Sequence, residues 1–168
     1  MGICMFRKVA LGSILGSAIA AVYVAGAFAT PGSGFTSVDM SKGRFEEIAV
    51  NTTAEDPKLV RLEATGESDF YVVENTVTPG GFSGWHTHPG PSLVTVKSGT
   101  ASFYDGDDPT CTPRVYEMGS GFIDRGNGHV HLVRNEGDVD LILITVQLFP
   151  ADSGPRRIDV EGLGICSF

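Results

Sequence analysis

Residues 80–99 read G-G-F-S-G-W-H-T-H-P-G-P-S-L-V-T-V-K-S-G, placing His86 and His88 two positions apart just before an apolar run. On a β-strand successive side chains alternate faces, so residues i and i+2 project together. The 168-residue chain holds only four histidines, and the other two, His129 and His131, repeat this spacing. Each pair can therefore aim two imidazoles at one point. Neutral imidazole is the commonest side-chain ligand for transition metals near physiological pH. The residues alone point to a metal site. A lone histidine is more often packed or at the surface, but four gathered into two like-spaced pairs fit that reading poorly.

Outward from this stretch the pattern is of short strands and turns. Pro89, Gly90 and Pro91 bend the chain after the first pair, residues 92–97 read as a strand, and Ser98-Gly99 turns into another over 100–104. Upstream, 44–50, 58–64 and 70–77 are strand-like. Downstream, 115–123 leads to the second pair. Residues 141–149 are apolar on both faces except for Thr145 and Gln147, which predicts a strand buried on both sides. Thr145 and Gln147 share one face. If that face lines an interior, Gln147 is either a substrate contact or a structural hydrogen-bonding group. Trp85 falls on the face opposite His86 and reads as a core or rim residue. No stretch beyond residue 29 sustains helical periodicity for three turns, so an all-β sandwich or barrel is expected.

The histidine stretches resemble the two motifs of the cupin superfamily. Gly80, His86, His88 and Gly99 fall in register with the first motif, and Ser92 stands where its glutamate would be. Gly128, His131 and Asn135 match the second; Gly126 replaces its proline, and Gly119 sits one residue before the place of its leading glycine. The resemblance covers residues 69–150. It implies a double-stranded β-helix, a jelly-roll barrel of antiparallel strands with its ligand site inside, and it assigns His86, His88 and His131 as metal ligands. His129 lies outside the motif. It can be a fourth ligand, a base behind the ligands or a hydrogen-bonding residue at the strand start, and the last two roles are favoured.

Three imidazoles suit an open site better than a closed structural one, because a fourth position stays free for water or substrate. With Ser92 in place of glutamate, the motif supplies no anionic ligand. Fe, Mn, Ni, Cu and Zn all accept such a set. The expected function is an exported cupin that binds a divalent transition metal, with small-molecule dioxygenase chemistry as the leading enzymatic reading. The alternative is a module that binds a small ligand or metal without turnover. The resemblance also admits a homodimer.

The start of the chain reads as a targeting segment. Arg7 and Lys8 precede an uncharged run over residues 9–29 that ends in Ala27-Phe28-Ala29, the small-x-small form of a signal-peptidase site. A retained membrane anchor is the other reading. The expected organisation is a signal peptide or anchor over 1–29, a flexible Gly/Ser/Thr-rich lead-in over 30–43, and a cupin domain over 44–168. Cleavage would remove two of the 12 basic residues and none of the 20 acidic ones. The strongly acidic remainder argues against nucleic acid or an anionic membrane as partner. It leaves Cys111 and Cys166 as an even pair, and in an oxidising compartment a disulfide between them is the default. Cys111 sits in the acidic loop 105–113, which reads as a solvated turn rather than a calcium loop.

Overall fold

A computed structural model describes residues 31–51, 60–162 and 166. The segment read as a leader or anchor lies outside the described residues. Along residues 141–149, Leu141, Leu143, Thr145, Gln147 and Phe149 are buried and those between them half-buried. This strand is thus buried on one face and only partly covered on the other, where the apolar run alone had suggested burial on both. On the outer face Ile142 and Ile144 stand between polar partners, Thr76 and Ser98 for the one and Glu74 and Thr95 for the other, whose side chains cover them in part.

Among the described residues twelve strands follow in chain order: β1 (Ser33–Phe45), β2 (Ile48–Asn51), β3 (Arg61–Ala64), β4 (Ser68–Phe82), β5 (His86–Thr87), β6 (Ser92–Ser98), β7 (Thr100–Asp105), β8 (Arg114–Glu117), β9 (Gly121–Asp124), β10 (His131–Arg134), β11 (Leu141–Pro150) and β12 (Ile158–Asp159). All pairings are antiparallel. The main path runs β12-β5-β10-β4-β11-β6-β9, with β1 on β4, β7 on β10 and β8 on β7; β2 and β3 form a separate two-stranded sheet. The result is an all-β, nearly closed antiparallel barrel of the double-stranded β-helix type.

Three expectations about the strands need correction. The lead-in over 30–43 is not flexible: residues from Ser33 onward form β1, paired with β4 from Ser33↔Phe82 to Phe45↔Ser68. Its residues are exposed almost throughout and show no alternation, but the long β4 offers them a backbone ladder with two register shifts. The run 44–50 is split, since β1 ends at Phe45 and β2 begins at Ile48 in the other sheet. The run 115–123 is also two strands, β8 and β9, reversed around Gly119 at φ 85°. Gly99 makes the β6–β7 turn at φ 75°, and a Cβ there would sit 2.9 Å from the carbonyl oxygen of Asp140, so glycine is required.

Inside, one half of the barrel is filled. Val77, Val94, Val96, Ala101, Phe103, Phe122, Val133, Leu141 and Leu143 form a single buried cluster. Each large aliphatic side chain buried there stabilises the fold by about 1.5–3 kcal/mol. A second cluster of Trp85, Tyr104 and Leu132 packs against the disulfide cysteines. Cys111 and Cys166 are joined, with Cα atoms 5.4 Å apart, so the acidic loop is tied to the tail. In that loop the Asp108 carboxylate accepts hydrogen bonds from the Thr110 and Thr112 backbone N–H groups, both at 2.9 Å.

Candidate metal centre

The other half of the interior is a cavity where buried polar side chains gather against an apolar wall. β5 carries His86, His88 follows it by two residues, and β10 begins with His131, which is the register partner of His86. The ring centroids of His86 lie 4.2 Å from His131 and 4.9 Å from His88, and those of His88 and His131 are 5.4 Å apart. One ring nitrogen from each of the three can be chosen so that all lie within 4.8 Å of one another. Phe103 stacks on His131 at 5.3 Å and Phe149 on His88 at 5.9 Å, which holds the ring planes.

The tautomers follow from the partners. His86 Nδ1 lies 2.8 Å from the Gly84 carbonyl oxygen, and His88 Nδ1 lies 2.6 Å from that of Arg156. A carbonyl can only accept, so each Nδ1 carries the proton and each Nε2 keeps its lone pair. Burial drives all three histidines toward the neutral form. His86 is held well below its ordinary value, first by desolvation and then by the positive charges of His131 and Arg157. His88 is lowered mainly by desolvation. Desolvation also pushes His131 down to about 3, against the upward pull of Asp124. Three neutral, buried imidazoles with free lone pairs fit a divalent transition ion.

The loops that bring the two histidine pairs together explain the missing motif proline. Gly126 has φ 63°, a region closed to proline, whose ring fixes φ near −65°. A Cβ at Gly126 would also fall 2.0 Å from the Gly90 carbonyl oxygen. The two bends therefore touch backbone to backbone, and the Asn127 N–H donates to the His88 carbonyl oxygen at 2.8 Å. Asn135, fully buried, pins the far end of β10: its Nδ2 donates to the Val77 and Val139 carbonyl oxygens at 2.8 and 2.7 Å.

The remaining candidates separate. Ser92 and Gln147 both face the cavity beside the histidines, with Gln147 Nε2 3.4 Å from Ser92 Oγ. His129 does not join them. It precedes β10, so strand alternation does not govern it, and its ring reaches the carboxylates of Asp124, at 2.9 Å, and Asp105. Trp85 is buried in the second cluster. Two tail residues belong to the site. Arg156 and Arg157 line the cavity, Arg156 donates to Gln147 Oε1 at 3.0 Å, and β12 pairs with β5. Two adjacent arginines in a Gly/Pro-rich tail carry no periodic signal. Asp124 was also missed; it pairs across strands with Ser92 and is 1% exposed. The cavity of about 330 Å³ is of small-molecule size.

No protein-family model matches the chain, and no curated protein does. Among solved structures, it is similar to a protein with a double-stranded β-helix domain from Klebsiella pneumoniae, at 23% identity over 69% of this chain and 80% of that one, with a TM-score of 0.46. A cupin-like protein from Thermotoga maritima is similar at 22% identity over 56% of this chain and 66% of that one, with a TM-score of 0.48. A cupin domain of a transcriptional regulator from Enterobacter cloacae matches at 14% identity over 70% and 97%, with a TM-score of 0.44. By its own strand pairing, with His86 and His131 opposed across β5 and β10, the chain has the fold of a double-stranded β-helix.

Proposed function

We propose that this is an exported cupin that binds one divalent transition ion through His86, His88 and His131 and presents it to a small molecule in the barrel cavity. The observation that carries the reading is the convergence of three buried imidazoles, two with Nδ1 tied to a carbonyl, on the wall of the barrel cavity. A bound ion would supply a redox or Lewis-acid centre with an open position. The protein's own part is to keep the imidazoles neutral, hold their planes by stacking and offer Gln147 and Ser92 to orient a ligand. Metal-dependent dioxygenase chemistry is the reaction class favoured. The disulfide supports a location outside the reducing cytoplasm, with residues 1–29 as the exporting or anchoring segment.

A second reading, a binding module without turnover, has one observation in its favour. Among the described residues lining the cavity, Asp124 is the only carboxylate, and His129 and Gly126 already occupy one of its oxygens. The cavity therefore offers little for general acid–base work. Elemental analysis of the full chain, purified without added metal or a histidine tag, tests the ion site. About one equivalent of one metal, lost in His86→Ala and His131→Ala, is expected; none, even after reloading, would overturn the proposal. Product from a thiol, diphenol or flavonol that depends on His86 would then select the enzyme over the binding module.

A further inference from the structure

The motif carboxylate missing at position 92 has a counterpart on the neighbouring strand. Ser92 on β6 is the register partner of Asp124 on β9, both are 1% exposed, and both face the cavity. Directly opposed residues on an antiparallel pair stand about 5 Å apart, so a carboxylate on β9 serves nearly the same space from a different angle. The angle matters. Asp124 Oδ1 lies 3.5 Å from His131 Nδ1, 2.9 Å from His129 Nδ1 and 3.1 Å from the Gly126 N–H. His131 Nδ1 and Asp124 Oδ2 are both buried with no hydrogen-bond partner among the described residues. Two orphaned buried polar atoms on facing side chains are rare, because each costs about 1–3 kcal/mol.

The geometry points to Asp124 as the positioning residue of the ion site: it takes the Nδ1–H of His131 and so supplies, from behind that imidazole, the negative charge the motif glutamate would have placed on the ion. This rests on the three-histidine site proposed above. His86 and His88 turn their Nδ1 edges to backbone carbonyls; His131 turns its own to a carboxylate. Carboxylate backing fixes the tautomer with Nε2 free and raises the basicity of the ligand nitrogen. Drawing Nε2 onto an ion makes the Nδ1–H a stronger donor and closes the 3.5 Å gap to Oδ1, which satisfies the orphaned His131 nitrogen; a small rotation of the carboxyl would offer Oδ2 to it instead. The charge therefore sits behind one ligand, and the open coordination position is kept.

A cobalt(II) titration of the full chain, read by its visible ligand-field bands, tests this in the unaltered protein, Asp124→Asn and His86→Ala. Asparagine keeps an acceptor for His129 and Gly126 and removes only the charge. We expect one equivalent of cobalt and unchanged band positions in Asp124→Asn, with Kd about 10- to 100-fold weaker. An unchanged Kd, with binding still lost in His86→Ala, overturns the role of Asp124 and leaves the ion site standing. Bands that shift as for a lost ligand also overturn it, since Asp124 would then bind the ion directly. No cobalt bound by the unaltered protein defeats the ion site and this inference with it. Should Asp124→Asn fail to fold, nitrogen-15 histidine NMR of the zinc-loaded unaltered chain decides. His131 bound through Nε2, with its Nδ1–H the most downfield of the three, is expected; coordination through Nδ1 overturns the assignment.

Discussion

The two halves of the barrel interior are built by the same strands and do opposite things. Along the inner face of β11, Leu141 lies in the apolar cluster, Leu143 belongs to that cluster and borders the cavity, and Thr145 and Gln147 line the cavity. On β6 the same change runs from Val96 and Val94 to Ser92, and on β10 from Val133 to His131. Alternation decides which residues face inward; position along the strand decides whether they plug or open. A barrel can keep a hydrated pocket at one end because the other end is packed tightly enough to hold the strands without it. The difference teaches that core and site share β4, β6, β9, β10 and β11 and divide along the strands rather than between them.

Substitutions in each half should therefore move different observables. His131→Ala should take ion content from about one equivalent to under a tenth by elemental analysis. It should lower the stability of the ion-free protein only by the lost packing of a buried ring on Phe103, partly offset by the removal of a buried nitrogen that has no partner. A large loss of stability in the ion-free state would break the separation. In the packed half, Leu141→Ala should cost about 2–5 kcal/mol in urea unfolding, since Leu141 is fully buried in the cluster. Ion stoichiometry should survive wherever the variant is folded.

The disulfide tests how far the two halves are joined through the tail. Cys111→Ser with Cys166→Ser should cost up to about 4 kcal/mol, the chain-entropy value for so long a loop. It should also weaken ion binding several-fold, because the tail carries the Arg156 carbonyl that holds His88 and the strand that pairs with His86. An ion affinity unchanged by removal of the disulfide would mean that β12 stays docked without it. The smallest effect concerns acid. Hydrogen bonding from Arg44 brings the Asp69 carboxyl down to about 2, against the opposing effect of burial. The folded value lies below the unfolded one of about 3.9, so this pair's contribution is complete above pH 4 and is lost as pH falls from about 4 toward 2. Asp69→Asn should flatten that part of the stability profile and leave the neutral region alone apart from a constant offset.

Much of the site could be read from spacing, because His86 and His88 lie close in sequence and a strand start needs only two residues to orient them. Gly99 likewise announces a turn whose reason is local. Long-range effects escaped. β1 was hidden because its Gly, Ser and Thr residues gain their strand only from the ladder offered by β4. His129 was misleading, since parity holds only inside a strand and β10 begins two residues later. Asp124 and Arg156 could not be placed at all, for nothing in their neighbourhood marks them as different from surface charges.

By itself, then, the sequence determined the all-β class, the two histidine pairs, the cysteine pair and the turns, since each follows from side-chain alternation, residue chemistry or backbone freedom within a few positions. Tertiary structure alone decided which histidines converge, that a carboxylate from β9 stands behind His131, and that the tail folds back to hold His88. Those choices depend on cross-strand register and on contacts between residues separated by tens of positions, where the free energy of closing the barrel, not any local preference, selects the partner.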